Sequence, residues 1–122
     1  MRADDDNSLF IDAIADIAME EWKFRNAFRR MLALVPHSEQ AKYSSRYSWF
    51  SKKVEQALQQ TGLEVISVEG QPFDVGMAAT PLNLEDFEEN ESLYVEQMIE
   101  PILMKDGKVF HSGTVILGRL IK

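Results

Sequence analysis

The feature that most constrains this chain is a stripe of apolar side chains in its first third. Phe10, Ile14, Ile17, Phe24, Phe28, Met31 and Val35 follow alternating steps of four and three, broken only by Glu21. That spacing puts the set on one side of an α-helix, expected from about Leu9 to Val35. Asn7 or Ser8 can cap its start, Asp12 and Asp16 suit the positive end of the helix dipole, and Arg29 and Arg30 suit the other end. Pro36 stops it. After a turn at Pro36-His37-Ser38, a second stripe at Tyr43, Tyr47, Phe50, Val54, Ala57 and Thr61 repeats the spacing, and Gly62 sits where a helix C-terminus wants a left-handed residue. Two helices joined by so short a turn run antiparallel, and each stripe is apolar enough to want more cover than one partner supplies. The expectation is a homodimer, a four-helix bundle with Phe24, Phe28, Met31, Tyr47, Phe50 and Val54 at its interface. Packing of both stripes under the chain's own second half is the competing arrangement, and periodicity alone leaves it open.

Past Gly62 the period changes to that of strands. Leu63 to Val68 reads as the first strand, turned by Glu69-Gly70. Pro72 donates no ladder hydrogen bond, so Gln71-Pro72-Phe73-Asp74 is expected as an ordered corner with Phe73 turned inward and Asp74 as a turn acceptor. Met77 to Leu84 and Leu93 to Ile99 are further strand candidates, separated by the acidic loop at 85–91. Ile102 to Met104 meets Val109 to Phe110 across an Asp106-Gly107 turn, and Thr114 to Leu117 completes the sheet. The class is therefore α+β, with a flexible acidic N-terminus at 1–8, a dimerising helical hairpin at 9–62 and a partner-binding β-domain at 63–122.

Charge is segregated along the chain. Residues 1–21 have a balance of −6, residues 22–62 of +6 and residues 63–122 of −7, giving the net charge of −7. The basic middle, with Trp22, Tyr43, Tyr47 and Trp49, raises the question of nucleic acid. No nucleic-acid motif accompanies it, and acidic segments flank it within the same molecule, so no nucleic-acid partner is expected. No apolar run approaches the roughly 18 residues of a membrane helix, and the acidic start has no signal-peptide core. Cysteine is absent, which removes disulfides, thiolate nucleophiles and Cys-based zinc sites. A cytoplasmic protein without membrane attachment is the simplest expectation.

Catalytic chemistry finds little support. Asp74, His111 and Ser112 supply the residue types of a hydrolytic triad, but no nucleophile elbow or oxyanion site accompanies them. The acids at 85–91 lack the alternating ligands and central glycine of a calcium loop, and no glycine-rich turn is placed to cradle phosphate. No metal, cofactor or enzymatic activity is expected.

The run Gly62-Leu63-Glu64-Val65-Ile66-Ser67-Val68-Glu69-Gly70-Gln71-Pro72-Phe73-Asp74 resembles the helix-to-sheet junction of the GrpE family, nucleotide exchange factors of DnaK-type heat-shock chaperones. A second similarity lies in Asp106-Gly107-Lys108-Val109-Phe110-His111-Ser112-Gly113-Thr114-Val115, which looks like the family's closing hairpin, Gly-Arg-Val-Leu-Arg-Pro-Ala. The resemblance implies a co-chaperone that dimerises through a four-helix bundle and uses its β-domain to open the nucleotide cleft of a DnaK-type ATPase domain, promoting ADP release. It implies partner contacts at Lys108 and His111, which stand where the family has basic residues, and at the matching Phe73 and Asp74. Met98, on the strand before the hairpin, is added as an adaptable contact residue. There are departures. The family's long N-terminal paired helix has no counterpart, its His-Glu pair is absent from Val75-Gly76-Met77-Ala78-Ala79-Thr80, and Arg-Pro-Ala is replaced by His111-Ser112-Gly113. A dimeric adaptor that binds without exchange, and a small enzyme centred on His111, are the alternatives.

Overall fold

The computed structural model describes residues 3–120, with side chains from Ser8 onward. Helix α1 runs Ala3–Ala33 and helix α2 runs His37–Gln60. The first starts six residues earlier than the stripe alone suggests, so the segment expected to be flexible is helical from Ala3, and Asn7 and Ser8 lie inside the helix rather than capping it. An acidic sequence suits a helix start because the dipole's positive end favours carboxylates. Met1 and Arg2 lie outside the described residues. The interhelical turn is Leu34-Val35-Pro36, with Pro36 at the N-cap of α2 and Gln40 Nε2 donating to the Val35 carbonyl at 3.1 Å. α2 closes as its sequence indicates: Thr61 is the C-cap, its hydroxyl donates to the Leu58 carbonyl at 2.8 Å, and Gly62 takes φ +78°.

The two helices form an antiparallel hairpin, and its seam is aromatic. Phe28 and Tyr47 stack with centroids 4.8 Å apart, and Phe24 and Phe50 each lie 6.4 Å from Tyr47. Such pairs add roughly 0.5–1.5 kcal/mol beyond the area they bury. Glu21, the polar break in the stripe, is only 7% exposed. Tyr47 donates its hydroxyl proton to Glu21 Oε1 at 2.6 Å, and Arg25 lies 3.8 Å from the same oxygen. The carboxylate is thus charge-paired and hydrogen-bonded, the condition on which burial of a charge is tolerated. α1 also buries Ala15, Ala18, Met19 and Trp22, a second helical face outside the heptad stripe.

The strands build two three-stranded sheets; a compact helical unit ends at Leu63 and a second compact unit begins at Glu64. The strands are β1 (Leu63–Ile66), β2 (Ala79–Pro81), β3 (Leu93–Glu100), β4 (Ile102–Lys105), β5 (Lys108–His111) and β6 (Gly113–Arg119). One sheet has the order β1-β4-β5 and the other β2-β6-β3. β6 pairs antiparallel with β3 and parallel with the short β2, so the second sheet is mixed. Only three residues of the expected 77–84 strand pair, since Leu82 passes into a loop and Leu84–Asp86 forms a single 3-10 turn.

Period-2 burial is clearest on β6, where Gly113, Val115 and Leu117 face inward. Gly113 is required by space: a Cβ there meets Met98 Cε at 2.8 Å and the Glu100 carbonyl at 3.0 Å. Val95, Met98, Leu103 and Val115 are wholly inaccessible to solvent. The loop after β2 is tied to this core through Asn83, which donates to the Leu117 carbonyl at 3.0 Å and accepts its N–H at 2.9 Å.

Candidate partner-binding surfaces

The β4–β5 hairpin is built outward from its turn. Asp106 and Gly107 have φ +53° and +77°, the pair of left-handed residues that lets a two-residue turn match strand twist. In the register Leu103 opposes His111 and Met104 opposes Val109, so Phe110 is an extra residue on β5. A bulge of this kind bends a strand and re-aims its side chains. β5 is also the sheet's edge, and all four of its residues are exposed, including the apolar Val109 and Phe110. Lys108 and His111 bracket these two apolar residues on one strand. Lys108 and His111 were expected at this surface from the sequence, whereas Val109 and Phe110 were not, because an apolar pair in a short strand normally reads as core.

The other contact residues expected in the β-domain are not at this hairpin. Phe73 is half-buried at the corner, its N–H donating to the Leu93 carbonyl at 2.8 Å. Asp74 is exposed and acts as the expected turn acceptor, taking the Gly76 N–H at 3.1 Å. Met98 must be withdrawn as a contact residue. It is 0% exposed, and its sulfur accepts the Val68 N–H at 3.2 Å, so it belongs to the core that joins the strands. The expectation failed because β3 has both a buried and an exposed set of side chains, and the register that decides between them is shifted by irregularities at Val95/Gln97 and Met98/Glu100.

On the helical unit the stripe separates into two lines. Ile14, Glu21, Phe28 and Val35 are buried or half-buried, whereas Phe10, Ile17, Phe24 and Met31, spaced by seven, are all exposed. Phe50 of α2 is exposed too, while Tyr47 and Val54 are half-buried. Of the six expected dimer-interface residues, Phe24, Met31 and Phe50 are therefore open to solvent, Phe28 and Tyr47 stack in the hairpin's own seam, and Val54 is half-buried.

Among the described residues no group of three or more His, Cys, Asp or Glu side chains is placed to hold a metal ion. His111 and Ser112 are both exposed, and Asp74 serves its own turn. No helix of the described residues is long and apolar enough to cross a membrane. No protein-family model, curated protein or solved structure matches this chain.

Proposed function

We propose that this chain is a GrpE-like co-chaperone, a cytoplasmic homodimer whose β-domain binds the ATPase domain of a DnaK-type chaperone and promotes ADP release. The observation that carries the reading is the β4–β5 hairpin: an edge strand with Lys108 and His111 around an exposed apolar pair, on a rigid two-residue turn. The two stretches of sequence that resemble the family fall on this hairpin and on the junction from α2 through β1 to the Phe73 corner. Lys108 offers a mobile cation to an acidic surface, and His111 a donor that lacks the bidentate fork of arginine. Val109 and Phe110 supply apolar area between them.

The work asked of such a protein is binding alone. A factor that binds the open ATPase cleft better than the closed one lowers the affinity for ADP, and the nucleotide weakens the factor by the same ratio. The seven-residue line Phe10, Ile17, Phe24, Met31 supports dimerisation, since a regular apolar line on a helix hairpin is the seam of a further helix pair. The adaptor reading is favoured by one observation, the departures at Val75–Thr80 and His111–Gly113. Release of a fluorescent ADP analogue from a DnaK-type ATPase domain separates the two. Acceleration that saturates with added protein supports exchange, whereas saturable binding with unchanged release supports the adaptor.

A further inference from the structure

We propose that the β-unit carries a second binding site, a groove of about 870 Å³ between the Phe73 corner and the loop at 84–91, that takes a short peptide segment bearing bulky apolar side chains flanked by lysine or arginine. Its lining is largely apolar: Phe73, Leu84, Phe87, Leu93 and Leu120 contribute to it, and Val75, 89% exposed, stands at its margin. A volume of this size accommodates several side chains of a ligand.

The groove is held open by polar contacts outside its apolar surface. Phe73 N–H donates to the Leu93 carbonyl at 2.8 Å and Leu120 N–H to the Ser92 carbonyl at 2.9 Å, fixing two walls to β3 and the residue before it. Glu91 fixes the third wall: one carboxylate oxygen accepts the Glu88 N–H at 3.0 Å and the other accepts from Arg119 Nε at 2.8 Å. The Arg119 guanidinium also lies 5.1 Å from the Phe87 ring centroid. A preformed site avoids much of the ordering cost of binding.

Charge chooses the occupant. Asp74, Glu85, Glu88 and Glu89 line the same groove, and among the described residues no lining side chain is basic. The neighbouring cation, Arg119, is engaged by Glu91. These carboxylates are not gathered as metal ligands among the described residues, so they act as a negative field around an apolar surface. Such a surface repels nucleic acid and anionic lipid and favours an apolar segment with cationic flanks. The site shares no residue with the β4–β5 hairpin, but it includes Phe73 and Asp74, which the GrpE resemblance also implies as contacts, so Lys108→Glu is the variant that separates the two readings.

The test uses the full chain and two fluorescein-labelled, amidated peptides, Arg-Leu-Lys-Phe-Leu-Arg and its acidic counterpart Glu-Leu-Gln-Phe-Leu-Glu, followed by fluorescence anisotropy. The cationic peptide is expected to bind saturably with a Kd on the order of 10–100 μM, and the acidic one at least about tenfold more weakly. Glu85→Lys with Glu88→Lys, both on exposed positions, should weaken the cationic peptide about tenfold or more and improve the acidic one. Leu84→Ser with Leu120→Ser should weaken both peptides, and Lys108→Glu should change neither. Circular dichroism of each variant confirms that the fold is retained. Equal binding of the two peptides, indifference to the charge reversal, or no saturation up to about 1 mM overturns the proposal.

Discussion

Along α1 large apolar side chains recur on the outside at every seventh residue from Phe10 to Met31, whereas along β6 the inward residues Val115 and Leu117 are almost wholly covered. The β-unit closes a core of its own around Met98 and Leu103 and, Leu82 aside, gathers its large exposed apolar side chains at the bulged hairpin and at the groove beside Phe73. The hairpin of helices seals a seam between Phe28 and Tyr47 but leaves a regular line without cover. A regular uncovered line suits a copy of the same helix, and irregular patches on a finished core suit different partners. On the proposed function, assembly falls to the first unit and recognition to the second.

The largest effect that would test this division lies inside the β-unit. Met98→Ala removes a fully buried side chain among well-packed neighbours and should cost about 2–5 kcal/mol in urea unfolding. A loss under about 1 kcal/mol would mean that the core has been wrongly assigned. On the helical side, Phe24→Asp with Phe50→Asp should weaken self-association by about 2 kcal/mol or more in sedimentation equilibrium, because both side chains are exposed in the single chain. If the wild type sediments as a monomer at high micromolar concentration, the exposed line is not a dimer seam.

Phe73→Ala sharpens the comparison from the boundary between core and surface. The residue is half-buried at the rim of the groove, so the expected loss is about 2 kcal/mol rather than the 3–5 kcal/mol typical of a fully buried ring. Smaller again is Tyr47→Phe, which removes the hydroxyl that donates to the buried Glu21 and should cost about 1–2 kcal/mol. Burial pushes the Tyr47 phenol above its usual value, and the hydrogen bond to Glu21 adds to this. The folded state thus holds that proton more tightly than the unfolded chain. Stability from this site is complete below the unfolded tyrosine pKa near 10 and is lost as pH rises through the higher folded value. Melting curves across that range should fall more steeply for the wild type than for Tyr47→Phe; parallel curves would show that the phenol is not coupled to folding.

The periodic parts of this molecule were legible in the sequence, and the parts decided by register were not. The two helices, the Gly62 stop and the Asp106-Gly107 turn each rest on local chemistry and are present, although the first helix starts at Ala3 rather than near Leu9 and ends at Ala33, which leaves Val35 in the turn. The burial of Met98 was invisible because it depends on which face of β3 meets Gly113 of β6, a fact about two distant segments. The exposure of Val109 and Phe110 was hidden for the same reason, since a bulge is defined only by its partner strand. The face made by Ala15, Ala18, Met19 and Trp22 carried a readable signal at spacings of three, one and three, but the stronger stripe beside it drew the reading. The groove needs the corner at Phe73 and the loop at 84–91 to meet, which no local pattern announces.

The smallest stability change is expected at the hairpin, where Lys108→Ala should shift unfolding by no more than about 0.5 kcal/mol because the side chain is exposed at an edge. The same position carries the central claim, and the most direct measurement is the rate at which a fluorescent ADP analogue leaves a DnaK-type ATPase domain as this protein is added. The account predicts acceleration that saturates, weakens with salt and falls with Lys108→Glu, since screening acts over about 10 Å at 0.1 M. A rate that stays flat at saturating protein, against every DnaK-type chaperone of the same cell, would contradict it.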